Sequence, residues 1–362
     1  MAYNSFATND ANAVKYWSRR LEVETAKALE ISRLMGEGED SIIQVQSELT
    51  KDTGDKVTFD LLMQLTGDGF TENETMEGSE ESFTFYPDSL LINELHNSVR
   101  FPARANINQQ RVPWNLRDKA KTALREWFKV RYTKSFFNQV CGNTVTGLST
   151  KYLGNNAAIA PTSGRIIRPA SAAADETMTS DTYKFDLRML NYAKEVAETA
   201  DPMIRPIDVD GEACYVVYLD PRQITDLQTN AGSGQWLEIM MAIQNGFGKD
   251  SDIVTGAIGK YNGMILRRAP DNALPNGVNS TTAAAVSNTR RAVLLGAQAA
   301  VAAWSSGGGP SRYSWAEEGF DYGRQGGIGA GTIYGMKKTV YNSVDYGTVV
   351  ISTYAPDHTT TP

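Results

Sequence analysis

Residues 56–92, KVTFDLLMQLTGDGFTENETMEGSEESFTFYPDSLLI, constrain the fold more than any other stretch of this chain. Val57, Phe59, Leu61, Met63 and Leu65 fall on every second residue, with Thr58, Asp60, Gln64 and Thr66 between them. That alternation is the pattern of a half-buried strand, and Phe83 and Phe85 restart it. Gly67, Asp68, Gly69, Asn73, Gly78 and Ser79 are turn and loop formers, so the strands are joined by an excursion far longer than a two-residue hairpin turn. A two-stranded ribbon alone is marginal in water. This one must lie either on its own domain or on another molecule.

Charge sharpens that choice. From Glu37 to Glu94 fifteen acids face only Lys51 and Lys56, a net of 2 − 15 = −13. From Arg100 to Lys134 ten bases face Asp118 and Glu126, a net of 10 − 2 = +8. Two adjacent segments of opposite sign are thus hidden inside a total of −7. Such asymmetry suits a nucleic-acid surface, a partner, or association between copies of one chain. Each exposed ion pair is worth only about 0–1 kcal/mol, and many such pairs suit an assembly that forms reversibly before it locks.

At 362 residues the chain can hold one large or two ordinary domains, and 41% hydrophobic with 21% charged residues is a globular composition. No base precedes Lys15 and no apolar run follows it, so a secretory signal is not supported. The longest apolar-and-small stretch, AVLLGAQAAVAAW (292–304), falls short of the roughly 20 residues of a membrane helix. The expectation is a soluble chain made in a cytoplasm. Cys141 and Cys214 are single and far apart, without a ligand-spaced histidine, and read as free buried thiols.

Residues 11–35 read as a charged amphipathic helix, with Val14, Trp17, Leu21, Leu29 and Leu34 broadly on one side. Residues 112–142 carry the strongest helical pattern: Pro113 suits a first turn, Gly142 a stop, and Ala120, Leu124, Trp127, Phe128, Phe136, Phe137 and Val140 recur at three and four. At about 1.5 Å per residue this is a rod of roughly 40 Å. Residues 142–181, rich in small and polar types, read as a long loop or embellishment. Beyond them come a helix near 182–199, a strand EACYVVYL (212–219), a cap and helix opened by Asp220 and Pro221, a helix WLEIMMAIQNGFG, a hairpin turning at Asn262–Gly263, a strand RRAVLLGAQAAVAAW, and strands from Tyr313 to Tyr354. Helices and antiparallel segments lie in blocks, so the fold class is α+β.

Chemistry is sparse. Two histidines, His96 and His358, have no evident catalytic partner. The pairs Glu80–Glu81 and Glu317–Glu318 imitate a hydrolase dyad, yet sequence neighbours point apart. GGIGAGTIYG (326–335) lacks dinucleotide-loop spacing, and DVDGE (208–212) lacks the bidentate glutamate of a calcium loop and reads as a turn. No cofactor or metal is expected. The basic helix could meet nucleic acid through phosphates. A structural or binding role is favoured over an enzyme; the alternatives weighed are a carboxylate-dependent hydrolase and a protein-only compartment shell.

The order of parts, with LTKDTGDKVTFDLLMQLTGDGFTENETMEGSEESFTFY, ACYVVYLDPRQITDLQTN, LLGAQAAVAAW and FDYGRQGGIGAGTIYGMKK, resembles the major capsid proteins of tailed bacteriophages with the Hong Kong 97-type fold, more closely the coliphage N-four-like branch. These segments span residues 49–338. The resemblance implies an N-terminal arm (1–50), an extended loop (51–95) that reaches over a neighbouring subunit, a peripheral domain (96–179) with a spine helix (113–141), an axial domain (180–305), and C-terminal strands (306–362) returning to both. It implies copies of the chain as hexamers and pentamers of an icosahedral shell around double-stranded DNA, made in the host cytoplasm and ending in the virion. Scaffolding, portal and decoration proteins are implied partners, with non-specific contact to packaged DNA and none to membrane. Glu72, Glu74, Glu77, Glu80 and Glu81 are the candidate inter-subunit residues; Arg125, Lys129 and Arg131 are candidate receivers or genome-facing bases. Some members of the lineage link a loop lysine covalently to an asparagine next door. Here Lys51 and Lys56 sit at the loop's base, so a non-covalent shell is expected.

Overall fold

The computed structural model describes residues 11–46, 54–62, 67, 69–72, 75–78, 80–82, 84–102, 107–148, 150–209, 211–229, 257–305 and 311–358. Met63, Leu65, Glu74, Phe83 and the helix expected over WLEIMMAIQNGFG lie outside the described residues.

The chain opens with α1 (Ala11–Ala28), a 3-10 turn, and strands β1 (Met35–Gly36) and β2 (Ile43–Gln46). A ribbon of β3 (Lys56–Leu62) and β4 (Phe85–Leu91) leads into β5 (Asn93–Pro102), the short α2 (Ile107–Gln110) and the long α3 (Leu116–Val140). The small-residue stretch holds α4 (Thr150–Leu153), β6 (Ile166–Ile167) and three 3-10 turns. Then come α5 (Leu187–Thr199), β7 (Ile207–Val209), β8 (Glu212–Leu219), α6 (Pro221–Thr229), β9 (Gly259–Tyr261) and β10 (Met264–Arg268). After a 3-10 turn (Pro270–Asn272) come the strands β11 (Gly277–Val278), β12 (Ala285–Val286), β13 (Thr289–Leu295), β14 (Ala300–Ser305), β15 (Tyr313–Phe320), β16 (Gln325–Lys338), β17 (Val340–Tyr341), β18 (Val344–Asp345) and β19 (Thr348–Tyr354).

Two sheets organise these elements. A six-stranded sheet is centred on β16, which pairs antiparallel with β5, β15 and β14; β2 and β1 extend it beyond β14. A seven-stranded sheet runs β6-β19-β13-β8-β10-β9, with β7 also on β8. Within β8 the alternation explains why the sequence reads as an unbroken apolar run. Tyr215, Val217 and Leu219 face α5 and its Leu190 and Ala193, while Cys214, Val216 and Tyr218 face the other way. There Tyr218 meets Phe137 of α3, ring centroids 5.2 Å apart. The same helix reaches the six-stranded sheet through Phe128 against Tyr313 at 5.2 Å and Tyr132 against Tyr334 at 4.9 Å. The spine therefore joins both sheets through one buried core. At about 1.5 Å per residue its 25 residues span roughly 38 Å.

Two expectations shift. Pro113 lies before the helix and not in its first turn: Asn115 is the N-cap, its side chain accepting from the Arg117 N–H at 3.0 Å. RRAVLLGAQAAVAAW is two strands in different sheets, β13 and β14. Between them a Cβ on Gly296 would stand 2.4 Å from Ile204 Cγ2 and 2.6 Å from the Arg205 carbonyl, so the backbone passes where only glycine fits. Gln298 then turns through φ 53°, its N–H donating to the Ser41 carbonyl at 2.8 Å.

Candidate functional site

The ribbon is rooted in its own subunit. Val57 of β3 with Leu90 and Ile92 around the end of β4 packs on Val301 and Ala303 of β14, with Phe59 and Ile333 at the rim. Pro87 is tolerated because, among the described residues, β4 has a ladder partner on one side alone, β3. Polar bolts fix the root: the Asn156 side chain both accepts from the Leu91 N–H at 3.0 Å and donates to its carbonyl at 2.7 Å. Asn155 donates to the Ile92 carbonyl at 3.1 Å. Lys337 pairs with Asp88 and donates to the Ser89 carbonyl at 3.1 Å. Glycine completes the joint, since a Cβ on Gly335 would lie 2.3 Å from the Leu91 carbonyl oxygen. The stretch 142–181, expected as a long loop or embellishment, thus helps clamp the ribbon, and the base residues find their burial within their own chain.

Beyond the root the character changes. Glu72, Glu77, Glu80 and Glu81 are exposed, as are Phe70 and Met76 among them. Within this stretch the Gly78 N–H donates to the Glu80 carboxylate at 2.9 Å. Glu74 lies outside the described residues.

The bases expected to receive these acids are half-buried on α3 with partners of their own. Arg125 pairs with Glu126 at 2.6 Å and approaches Glu24 of α1 at 4.0 Å. Lys129 reaches Asp271 at 3.6 Å. Arg131 lies 3.9 Å over the Tyr152 ring and 5.3 Å from the Trp127 ring. Within one chain none of these pairs joins them to a described loop glutamate. The spine bases tie α3 to α1 and to the segments around it.

A second basic face, missed from the sequence, lies on α1. That helix packs on β15 and α3 through Leu21 and Trp17, which stacks on Trp315 at 6.3 Å with the Lys121 ammonium 3.1 Å over its ring, and Leu29 just past its end joins the same core. Burial, against partial relief from Glu317, lowers the Lys121 pKa to about 8. Outward, Lys15, Tyr16, Arg19, Val23 and Lys27 are exposed. The signal was present as bases at 15, 19 and 27, steps of four and eight that share a helical face.

The groups weighed for catalysis are dispersed. Glu317 accepts from Arg117 at 2.6–3.1 Å and from the Trp315 indole at 2.9 Å, while Glu318 points to the opposite face of β15. His96 pairs with the exposed Glu94 at 2.6 Å, and His358 stands 3.4 Å from Asp226. Burial pushes the Cys141 thiol up to about 12, against the opposing pull of Arg291 and Lys338. Among the described residues no group of three or more His, Cys, Asp or Glu is placed to hold a metal, and no helix is long and apolar enough to cross a membrane.

A long spine buried between two sheets, with a rooted ribbon that ends in an exposed acidic loop, defines a subunit that joins others. The chain belongs to the phage capsid protein family, whose model, described as "Phage capsid protein", matches residues 5–357. It is 24% identical over 373 residues to the major capsid protein of Pseudomonas phage KPP25, covering 94% of this chain and 93% of that one. Among solved structures it is similar to the capsid of Ralstonia phage GP4, with 26% identity and a TM-score of 0.76 over 99% of this chain and 95% of that one. The Cyanophage Pam1 capsid follows at 20% identity and a TM-score of 0.64, covering 98% and 100%. The fold is the expected α+β, Hong Kong 97-type capsid fold, and the function is that of a phage major capsid protein.

Proposed function

We propose that copies of this chain close as pentamers and hexamers into a non-covalent icosahedral shell around double-stranded DNA, each acidic loop lying on a neighbouring subunit. The observation that carries the reading is the contrast along residues 56–92: a root bolted to its own sheet, then exposed glutamates with Phe70 and Met76 beside them. Exposed acids and large apolar groups on one narrow projection suit a protein contact. Many weak contacts per subunit, multiplied by closure, give a stable particle from reversible steps.

In this reading residues 96–179 with α3 are the peripheral domain and 180–305 the axial domain, and the place of β14 in the six-stranded sheet with β5 supports counting that strand with the peripheral domain. The arm is residues 1–50 and the loop 51–95. Assembly takes place in the host cytoplasm with scaffolding and portal proteins. Catalysis has no part in it. Size exclusion and negative-stain microscopy of the expressed protein should give capsomers or particles, and boiling these in detergent should release single chains of 39.6 kDa. A lasting monomer overturns the assembly reading, and a covalent ladder overturns its non-covalent part.

A further inference from the structure

We propose that the outward face of α1, a row of Lys15, Arg19 and Lys27 with Tyr16 and Val23 set among them, is the dock for the acidic loop of a second copy of this chain. This rests on the assembly reading above and names the receiving surface within it.

The first support is how α1 sorts its charges. Its acids turn toward their own subunit: Glu22 reaches Arg312 at 3.6 Å, and Glu24 takes Arg20 at 2.7 Å and approaches Arg125 at 4.0 Å. Among the described residues no ion pair engages Lys15, Arg19 or Lys27. Residues 15, 19, 23 and 27 follow one another at four-residue steps, so the row runs about 18 Å along the helix at 1.5 Å per residue. Arg125, Lys129 and Arg131 on the spine have partners within their own chain, whereas among the described residues this row has no ion-pair partner and is open to one from another molecule.

The second support is that the complementarity is double. Within the row Tyr16 is 57% and Val23 51% exposed; on the loop Phe70 is 43% and Met76 64% exposed, flanked by Glu72, Glu77, Glu80 and Glu81. Bases with apolar groups between them match acids with apolar groups between them. A DNA backbone would answer the bases through phosphates but leave Tyr16 and Val23 uncovered. The helix is also held rigidly enough to serve as a platform, because Trp17 is wedged between Trp315 and Lys121 on its inner side.

The test is a charge swap in expressed protein, with particles counted by sedimentation and microscopy. The α1 variant carries Lys15→Glu, Arg19→Glu and Lys27→Glu; the loop variant carries Glu72→Lys, Glu77→Lys, Glu80→Lys and Glu81→Lys. Both alter exposed residues and should keep the wild-type circular dichroism and melting temperature as subunits. Each alone is expected to lower particle yield at least tenfold, and the combined variant to recover most of it. The milder Lys15→Gln, Arg19→Gln and Lys27→Gln set should flatten the salt dependence of yield, which secures the result if the reversed helix fails to fold. A loop variant that fails to assemble beside an α1 variant that assembles normally overturns this dock while sparing the loop reading. Normal particles from both overturn the loop reading too. Normal shells from the α1 variant that bind less added double-stranded DNA than wild-type shells would assign the face to the genome and also overturn the proposal.

Discussion

Asp175→Ala should cost the subunit about 3–5 kcal/mol, far more than any surface charge. Asp175 is fully buried. Its Oδ1 accepts from Arg168 Nε at 2.7 Å; its Oδ2 accepts from Arg291 at 2.8 and 3.2 Å and from the Val278 N–H at 2.9 Å. Arg291, 4% exposed, spends its remaining nitrogen on the carbonyls of Cys141 and Gly142 at 3.1 and 2.9 Å. The knot ties the end of the spine, the 142–181 stretch and β13 together. Removing the carboxylate strands a guanidinium that cannot reach water, whereas Arg168, a fifth exposed, can turn outward. The assay is urea unfolding of the unassembled subunit by tryptophan fluorescence at pH 7. Replacing both charges, Asp175→Leu with Arg291→Met, should recover most of the loss, because it is the unpaired charge that is expensive. Burial alone would raise the Asp175 pKa, but Arg291 and Arg168 outweigh it and hold the carboxyl below its ordinary value. Its contribution is therefore complete above the unfolded pKa near 3.8 and lost as pH falls through the folded one, an acid-side loss that Asp175→Ala should lack. A single variant that loses under about 1 kcal/mol, or a double variant no better than the single, would refute the reasoning.

Gly335→Ala drives a methyl group into the Leu91 carbonyl and should cost about 1–3 kcal/mol, read as a lower melting temperature, while Gly164→Ala, which meets nothing within 4 Å, should be neutral. Asp226 of α6 is pushed up to about 6 by burial, against the opposing pull of His358 and Lys184 and with Asp181 reinforcing it. A carboxyl raised on folding penalises the folded state above that pH and is relieved as pH falls toward its unfolded value, so Asp226→Asn should gain about 1–3 kcal/mol at pH 8 and flatten the stability profile between pH 4 and 6; a loss at pH 8 would contradict this. Trp17→Ala should free α1 and speed limited proteolysis within residues 11–28, while the β15–β16 pairing keeps its hydrogen-exchange protection.

Local signals carried far. The β3 alternation, the Asp220 cap whose carboxylate accepts from the Arg222 N–H at 2.9 Å, and the Asn262–Gly263 turn with φ 47° and 72° were all legible, because each is decided within a few residues. What escaped was decided by distant partners. Nothing local says that β13 and β14 belong to different sheets, since both are equally apolar and the exit at Gly296 depends on Ile204 and Arg205. Asp175 and Arg291 are 116 residues apart and look in sequence like two ordinary surface charges. Counting bases on the spine located the positive segment but could not show that Arg125 and Lys129 have acidic neighbours, Glu24, Glu126 and Asp271, within their own chain.

Strong ionic interactions and weak ones are separated in space, and that separation bears on assembly. Lys338 and Asp345, both almost inaccessible, pair at 2.7 Å beside the Ile159 carbonyl, as Asp175 and Arg291 do at the end of the spine. Such pairs are shielded from salt by the protein around them, whereas charges on the loop and on α1 stand in water, where the Debye length is about 10 Å at 0.1 M. Raising the ionic strength should then weaken the proposed loop–α1 contact between copies while leaving the subunit itself intact. A capsid protein needs that order of events, because a misplaced subunit can leave a growing shell only if its outer contacts fail before its own fold does.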